Sequence, residues 1–384
     1  MRVLIVSPEV GGVPGVGGVG TFVYHLSHVL SSNNTVSILS TDATVSQEQV
    51  SKYRKYGIEI INIPVSQQTG SRASQSQYVF EYLQENSYSH VIFSDWTGAA
   101  YFTACARRIG LLKNIICTVV AHGCTTWAYT GLKQFLSESD PFEHYIKVSL
   151  ERKSMELADY LISPSAYMQN WTNEYIGSVN ENTRIVLKQP YFFENGALER
   201  RVSSNLIHNL AFFGRLEERK GLRLFVSAII DFYSKYSERP KVLIVGKPGW
   251  MKSGEFGHDF VKREFQNSGL KIDYEIFTNL DSANAIGLIR SNNCLVVIPS
   301  QLDNAPYTVI ESILNGFKII STNTGGIPEY LPSANICENN RESLSKKIYE
   351  FVYSSDDEHY PNYDFHRSNA EWTKFIADPT GCRG

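Results

Sequence analysis

Short apolar runs recur along the first half of the chain, and each is followed by a longer stretch with helical periodicity. This alternation predicts parallel β-strands whose sheet is covered by helices on both faces. The predicted strands are 2–6, 35–40, 58–64, 90–95, 115–121 and 160–165. The predicted helices between them are 20–31, 74–86, 98–109 and 143–158.

The second half repeats the alternation, so two doubly wound α/β domains are expected rather than a single sheet. A length of 384 residues also exceeds what one hydrophobic core usually serves. The turn-rich, polar segment 189–205 is the best candidate for the linker. The predicted strands of this half are 209–215, 241–246, 274–278, 294–300 and 318–322, and its predicted helices are 220–236, 257–267, 282–290, 306–315 and 341–353.

The charge distribution excludes one class of partner. A formal net charge of -3, without a long block of like charge, gives no electrostatic footprint for nucleic acid. Basic clusters at 52–55 and 107–113 fit solvated helix faces, and contact with a membrane surface is left open.

The cysteines and the N-terminus bear on the compartment. The six cysteines form no C-x-x-C pair and lie mostly in apolar runs, which is typical of reduced core residues in a cytosolic protein. The first apolar run is too short for a signal peptide, and no run approaches about 18 apolar residues. A cytoplasmic protein without a membrane span is predicted.

A glycine-rich loop, residues 11–20, follows the first predicted strand. Gly15, Gly17 and Gly20 match the G-x-G-x-x-G fingerprint of dinucleotide-binding domains, and Asp42 lies about twenty residues further on. The fingerprint requires its first glycine directly after the strand, whereas Gly15 follows it by about nine residues. It also explains nothing in the second half of the chain. A nicotinamide-dependent dehydrogenase is therefore disfavoured.

An ATP phosphate loop is disfavoured as well, because Thr21 stands where that loop needs a lysine after its final glycine. The glycines are instead interpreted as a lip without side chains, where Gly17 and Gly18 let the backbone come close to a ligand. Asp42 is then no longer expected to contact a ribose.

Two basic residues follow a predicted strand end in the second half. Arg215 and Lys220 lie on the loop that enters the next helix, where two cations suit a diphosphate whose negative charge grows as it leaves. The alternative is a solvated surface cluster with the neighbouring Glu217 and Glu218. The residues alone leave both interpretations open.

Two carboxylates frame a later strand end and the helix that follows it. Asp303 lies in the turn, and Glu311 lies about one and a half turns into the helix. A carboxylate set back from a helix start suits the two hydroxyls of a ribose, and the free amides at that start suit an anion. Asp303 has the alternative of a plain helix cap or Asx turn. The residues around this helix start are Asn304, Ala305, Pro306, Tyr307 and Thr308.

Three residues of the first half are candidate site residues. His122 ends a predicted strand, although a lone histidine is more often a structural residue. Trp127 and Tyr129 lie in a long segment that is expected to be irregular at its start, and buried packing is one interpretation of both aromatic rings.

Together these segments resemble the retaining nucleotide-sugar glycosyltransferases of family four, which have the GT-B fold. The resemblance implies two Rossmann-like domains that face an interdomain cleft. The matching pieces are GGVG (17–20), HG (122–123), FGRLEERKG (213–221) and VIPSQLDNAPYTVIESILNGFKIISTNTGGIPE (297–329). The implied domains are 1–195 for the acceptor, 196–362 for the nucleotide-sugar donor, and a C-terminal helix, 363–384, that crosses back to the first domain.

The resemblance also assigns roles to the site residues. Arg215 and Lys220 clamp the donor diphosphate, and the backbone amides after Asn304 hold phosphate. Glu311 binds the ribose hydroxyls, and His122 lies beside the transferred sugar. The backbone of Gly17 and Gly18 comes close to the donor phosphate or the acceptor. Trp127 and Tyr129 are candidates for stacking on an acceptor sugar ring, with buried packing as the equal alternative. Asp303 stands where the family usually has glutamate, and its shorter side chain reaches less far toward the sugar hydroxyls.

The implied reaction moves a sugar from a nucleoside diphosphate sugar, UDP-linked first and GDP-linked next, to an acceptor hydroxyl with retention of configuration. The acceptor class is a carbohydrate, a lipid-linked glycan or a protein glycan. No cofactor is expected. Metal independence is expected too, because no Asp-x-Asp motif appears, Asp356 and Asp357 lie in a polar stretch, and Arg215 and Lys220 neutralise the leaving diphosphate.

Two alternatives to this reaction stay open. A sugar-nucleotide 2-epimerase of the same fold is one, and a non-catalytic sugar-nucleotide-binding subunit is the other. Retention of Arg215, Lys220 and Glu311 speaks against the second. A phosphorylase would need a lysine for pyridoxal phosphate, which no motif marks.

Overall fold

The computed structural model describes residues 1–12, 16–42, 44–64, 66, 70–132, 141–177, 183–194, 207, 209–353 and 363–382. The chain divides into two compact units, Met1–Glu194 with Asp364–Gly384 and Asn195–Tyr363, called here the N-terminal and the C-terminal unit. Parts of three sequence predictions lie outside the described residues, namely Gly15, residues 195–205 of the linker, and Asp356 with Asp357.

The N-terminal unit is built on a parallel sheet. Its strands are β1 (Arg2–Ser7), β2 (Thr35–Ser40), β3 (Glu59–Asn62), β4 (His90–Ser94), β5 (Ile116–Val120), β6 (Tyr160–Ser163) and β7 (Arg184–Val186). In the described residues these seven strands lie in the order β3-β2-β1-β4-β5-β6-β7. The central strands are almost wholly buried, as strands covered by helices on both faces must be. Because β4 and β5 are parallel neighbours, their carboxyl ends meet at one edge.

Helices connect these strands. They are α1 (Gly18–Ser31), α2 (Gln47–Arg54), α3 (Arg72–Glu85), α4 (Tyr101–Arg108), α5 (Thr125–Leu132), α6 (Pro141–Leu157) and α7 (Ala166–Ile176). A short 3-10 turn, Trp96–Gly98, directly follows the end of β4.

The C-terminal unit repeats the plan. Its strands are β8 (Asn209–Phe213), β9 (Lys241–Val245), β10 (Tyr274–Phe277), β11 (Cys294–Ile298), β12 (Ile319–Thr322) and β13 (Ile336–Cys337). Its helices are α8 (Leu222–Lys235), α9 (Gly257–Asn267), α10 (Ser282–Ser291), α11 (Tyr307–Leu314) and α12 (Arg341–Tyr353). In the described residues the sheet is six-stranded and parallel, in the order β10-β9-β8-β11-β12-β13. The carboxyl ends of the neighbours β8 and β11 therefore share one edge.

The last helix, α13 (Phe365–Ala377), belongs to the N-terminal unit although it follows the C-terminal unit in the chain. Its Trp372 is 1% exposed and donates from Nε1 to the carbonyl of Lys188 at 2.9 Å. Asn369 exchanges two hydrogen bonds with the backbone of Tyr191, at 2.8 and 2.9 Å. These polar contacts fix the helix on the segment that follows β7.

The prediction of two doubly wound α/β halves is confirmed. Helices α2, α5 and α7 and strands β7 and β13 were not predicted. Helix α2 escapes prediction because it is polar nearly throughout and buries only Gln49 and Tyr53. The expectation of an irregular start for the segment from Trp127 is wrong, since Trp127 lies inside α5. The two strands have only three and two residues, too few for a periodic signal.

Candidate active site

The loop after β8 carries the predicted diphosphate clamp. Lys220 precedes Gly221, which has a left-handed backbone (φ 77°) and is the N-cap residue of α8. A Cβ atom at Gly221 would lie 1.7 Å from the carbonyl oxygen of Pro299, so only glycine fits. This close approach brings the β8 loop against the end of β11. Arg215 starts the same loop, directly after Gly214, and is half-buried.

Lys220 and Asp303 form an ion pair between the loops that follow β8 and β11. Ser300 also donates from Oγ to Asp303 Oδ2 at 3.2 Å. Burial lowers the pKa of Lys220, although the Asp303 charge opposes that effect. Burial alone would raise the pKa of Asp303, but the charges of Lys220 and Arg219 outweigh it and hold the pKa below its usual value. The ion pair thus opposes the effect of burial on both groups.

Arg219 is a site residue that the sequence analysis missed. Its Nη2 contacts Glu217 Oε1 at 3.1 Å, and its Nη1 donates to the carbonyl of Leu302 at 3.4 Å. Its own carbonyl accepts from the amide of Gln301 at 2.9 Å. A basic residue in a run of alternating charges resembles a surface residue in sequence, so no signal marked it. It joins the two loops that Lys220 and Asp303 also join.

Helix α11 begins directly after this ion pair. Pro306 is its N-cap residue and makes no side-chain cap hydrogen bond. Asn304, Ala305 and Tyr307 are buried, and Thr308 is half-buried. The carbonyl of Asp303 accepts from the amide of Gly326 at 3.0 Å. The helix start is therefore fixed between the loops that follow β11 and β12.

Glu311 lies one turn into α11 and is 8% exposed. Burial raises the pKa of its carboxyl to about 7, although a hydrogen bond from Ser282 opposes the rise. Ser282 donates from Oγ to Glu311 Oε1 at 3.1 Å. Ser282 is the first residue of α10, and the sequence analysis gave it no role. The site is thus supplied by the loops after β8, β10 and β11.

His122 follows β5 in the N-terminal unit. Its ring meets Phe22 edge to face, with centroids 4.5 Å apart. Burial lowers the pKa of the imidazole to about 3, so the ring is neutral at physiological pH. Its Nε2 atom is buried and has no hydrogen-bond partner among the described residues. A buried, unpaired ring nitrogen is costly unless a ligand completes it.

Asp95 and Glu151 are two fully buried carboxylates that accept hydrogen bonds from the segment directly after this histidine, and the sequence analysis missed both. Asp95 Oδ2 accepts from the amide of Gly123 at 3.0 Å. Glu151 accepts from the amides of Thr97 and Thr125 at 3.1 and 2.8 Å and from Thr125 Oγ1 at 2.9 Å. Burial raises the pKa of Asp95 to about 7 and also raises the pKa of Glu151. Together they fix the loops after β4 and β5.

The glycine loop is closed by a carboxylate that the sequence analysis did not consider. Glu9 Oε2 accepts from the amides of Gly17 and Gly20, at 3.0 and 3.1 Å. The amide of Gly17 therefore already has an anionic partner within its own loop. Gly18, the first residue of α1, is exposed. Asp42 forms an ion pair with Arg72 at 2.8 Å, which accounts for its carboxylate.

The two aromatic candidates for an acceptor contact differ in burial. Trp127 is 4% exposed, and its ring packs against Gly123. Its burial corresponds to the packing alternative rather than to an open stacking face. Tyr129 is half-buried on the same helix, α5.

Three further findings concern the described part of the chain only. It holds no cluster of three or more His, Cys, Asp or Glu side chains with the spacing of a metal site. No helix in it is both long and apolar enough to cross a membrane. Within it, cysteines 105, 117, 124, 294 and 337 are free thiols.

The fold and these strand-end residues define a two-domain glycosyltransferase of the GT-B class, and comparisons with known proteins agree. A family model described as "Glycosyltransferase Family 4" matches residues 16–187, and one described as "Glycosyl transferases group 1" matches residues 208–364. The chain belongs to the glycosyltransferases of family four, as the motifs predicted. No curated protein matches the sequence.

Solved structures of low sequence identity share the fold. Sucrose-phosphate synthase from Thermosynechococcus elongatus is 13% identical, with a TM-score of 0.65 over 100% of this chain and 96% of that one. A lipopolysaccharide outer core galactosyltransferase is 13% identical, with a TM-score of 0.61 over 100% and 97%. The trehalose-6-phosphate structure from E. coli bound with UDP-2-fluoro glucose is 11% identical, with a TM-score of 0.58 over 100% and 97%.

Proposed function

We propose that this glycosyltransferase moves a sugar from a nucleoside diphosphate sugar to an acceptor hydroxyl with retention of configuration and without a metal ion. The observation that carries the proposal is the Lys220–Asp303 ion pair at the carboxyl edge of the C-terminal sheet, beside the start of α11. In open parallel sheets, ligands bind outside the carboxyl ends of the strands. A cation and a helix start at that edge suit a diphosphate.

Lys220 and Arg215 have the role of charge stabilisation. Cleavage of the bond between the sugar C1 and the phosphate oxygen leaves a second charge on the diphosphate, and both cations oppose that charge. In the free protein, Asp303 neutralises Lys220. When the donor binds, its diphosphate becomes a second anion for the lysine. Removal of one such group typically costs on the order of 100-fold to 1000-fold in rate.

The acceptor oxygen attacks C1 on the face from which the diphosphate leaves. The new bond joins C1 to the acceptor oxygen, and the acceptor proton passes to the departing phosphate oxygen. Asp303 is engaged by Lys220 and Ser300 and is not presented as a free nucleophile. His122 is neutral, and its Nε2 has no hydrogen-bond partner among the described residues. This nitrogen is proposed to accept a hydrogen bond from a hydroxyl of the transferred sugar.

Glu311 is proposed to accept hydrogen bonds from the ribose hydroxyls. Backbone amides around the start of α11, those of Asn304, Ala305, Tyr307 and Thr308, are proposed to hold phosphate, while Pro306, which has no N–H, starts the helix. UDP is the favoured nucleotide, because the trehalose-6-phosphate structure from E. coli is bound with UDP-2-fluoro glucose. GDP comes next. The acceptor is proposed to be a sugar hydroxyl of a carbohydrate, lipid-linked or protein glycan, bound by the N-terminal unit with contributions from Gly18 and Tyr129.

A two-stage experiment tests the proposal. Thermal-shift measurements with UDP, GDP and ADP identify the nucleotide, since a ligand that binds the folded state raises its stability. The matching donor sugars are then tested for hydrolysis and for transfer to candidate acceptors in the presence of EDTA, with the anomeric configuration of the product assigned by NMR. Retention with undiminished turnover supports the proposal. Inversion, a need for added metal, or full turnover by Lys220→Ala would each refute part of it.

A further inference from the structure

Glu311 and Ser282 form a cross-helix contact that the reaction as described does not use. Ser282 Oγ donates to Glu311 Oε1 at 3.1 Å, and the two residues belong to different helices, α10 and α11. Glu311 is buried, whereas Ser282 is exposed. The hydroxyl thus stands at the boundary between a buried carboxylate and solvent.

The position of Ser282 is fixed by the start of its helix. Asp281 is the N-cap residue of α10, and its Oδ1 accepts from the amide of Asn284 at 2.8 Å. Asp281 Oδ2 also accepts from the Asn284 side chain at 2.9 Å. A double contact of this kind holds the first turn in place. Because Ser282 is the first residue of that turn, the fixed backbone also fixes the position from which its hydroxyl reaches Glu311.

A carboxylate has two oxygens, and the Ser282 hydroxyl donates its hydrogen bond to one of them, Oε1. With Oε1 occupied, the Oε2 atom remains for a second donor. A buried carboxylate that lacks a hydrogen bond from its surroundings is costly to ionise. A neighbouring hydroxyl therefore does two things for Glu311: it fixes the rotation of the carboxyl group, and it stabilises the charged form that accepts best.

We propose that Ser282 is a positioning residue for the nucleotide, whose hydroxyl holds Oε1 of Glu311 so that Oε2 faces a ribose hydroxyl. The inference rests on the proposed role of Glu311 at the ribose. Ser282 itself does not contact the transferred sugar. Its effect is confined to donor binding and reaches the reacting atoms only through Glu311.

The experiment measures nucleotide affinity of the full chain by isothermal titration calorimetry. It compares protein variants and two forms of the nucleotide in one cycle. The probes are the nucleoside diphosphate among UDP, GDP and ADP that binds most tightly, and its 2′,3′-dideoxy analogue. The variants are Ser282→Ala, Ser282→Thr and Glu311→Gln. Ser291→Ala is the matched control, because Ser291 is exposed at the far end of the same helix, where it donates to the carbonyl of Leu288 at 3.1 Å and accepts from the Asn292 side chain at 3.3 Å.

Ser282→Ala is expected to weaken binding of the normal nucleotide about 3-fold to 10-fold, within the usual net contribution of one hydrogen bond. The same variant is expected to change the affinity for the dideoxy analogue less than 2-fold, since that analogue has no hydroxyl for Glu311. Ser282→Thr restores the affinity, and Ser291→Ala leaves it unchanged. In turnover assays, Ser282→Ala raises the KM for the donor and leaves kcat within about 2-fold.

The outcomes separate this inference from the proposed function. Equal weakening of both nucleotides by Ser282→Ala would mean that the serine only supports the fold, and unchanged affinity for both would mean that Glu311 does not need it. Either result overturns the inference alone, provided that Glu311→Gln still abolishes the preference for the normal nucleotide. If Glu311→Gln keeps that preference, or if no nucleotide binds, the ribose assignment itself fails.

Discussion

Asp303 is the counter-ion of Lys220, and the pair joins the loops after β8 and β11 within the C-terminal unit. Their side chains are 9% and 17% exposed, so water screens the charges only partly. The same two loops are also linked by Arg219, which contacts the backbone on the β11 side. The free protein therefore holds its proposed diphosphate site together with an internal anion.

Asp303→Asn is expected to lower the free energy of unfolding of the nucleotide-free protein by about 1–3 kcal/mol, because a mostly buried lysine loses its charged hydrogen-bond partner. The stabilisation by UDP is expected to increase in this variant, since the diphosphate then supplies the missing negative charge. Urea unfolding with and without UDP measures both effects. Asp259→Asn is the control, because its pairing with Lys262 at 3.4 Å is exposed and worth little. Equal losses in the two variants would contradict the prediction.

Gly221→Ala is expected to destabilise the protein more than Gly254→Ala and to reduce turnover as well. Both glycines have a left-handed backbone, with φ of 77° and 80°. The left-handed conformation of an alanine at either position therefore lowers the stability by about 1–2 kcal/mol. Only at Gly221 does the added Cβ meet another atom, the Pro299 carbonyl oxygen, whereas nothing lies within 4 Å at Gly254. The extra loss of stability in Gly221→Ala over Gly254→Ala measures the effect of the close approach between the β8 loop and the end of β11. This close approach positions Lys220.

Thermal unfolding and donor turnover of the two variants provide the comparison. If Gly221→Ala and Gly254→Ala lose the same stability and both keep turnover, the close approach does not position the lysine.

The fold was predictable because parallel strands covered by helices leave a strong alternating pattern, whereas much of the site depends on contacts that sequence spacing does not show. Arg215, Lys220 and Glu311 could be proposed from the sequence because each follows a strand end in a motif of known order. Asp95 and Glu151 were missed, since their buried partners lie on distant elements and an isolated acidic residue reads as a surface residue.

Glu311 makes the stability depend on pH in a defined direction. Its folded pKa, about 7, lies above the usual 4.5, so the folded state keeps a proton that the unfolded state releases between these values. Stability is therefore highest below about pH 4.5 for this group and is lost as pH rises through 7, by about 3 kcal/mol in total. Glu311→Gln is expected to remove this loss, so its stability relative to the wild type rises from pH 5 to pH 8.

Urea unfolding at several pH values, without nucleotide, measures that difference. Glu342→Gln is an informative control, because a hydrogen bond from Arg341 lowers the pKa of the exposed Glu342 carboxyl. Its contribution is present above the unfolded pKa and is lost as pH falls, the opposite direction. A pH-independent difference for Glu311→Gln would show that its carboxyl is not held neutral by burial.

Glu151→Ala is expected to cost about 3–5 kcal/mol, because two backbone amides and one hydroxyl, from Thr97 and Thr125, lose their buried acceptor. The loops after β4 and β5 should then both become more mobile. His122, which lies in the loop after β5, should no longer be held in place. Turnover is expected to fall even at saturating donor, while nucleotide affinity, a property proposed for the C-terminal unit, stays near that of the wild type. Hydrogen exchange should speed up at the Thr97, Thr125 and Gly123 amides.

Glu156→Ala is the matched control on the same helix, α6, because Glu156 pairs with the exposed Arg152 and Lys153. Its loss should stay within about 1 kcal/mol. Glu151→Gln should fall between the two, since an amide oxygen still accepts but the amide nitrogen faces a donor. If Glu151→Ala behaves like Glu156→Ala in unfolding and exchange, the buried carboxylate does not hold these loops, and the position of His122 must depend on the packing of Phe22 and Trp127 instead.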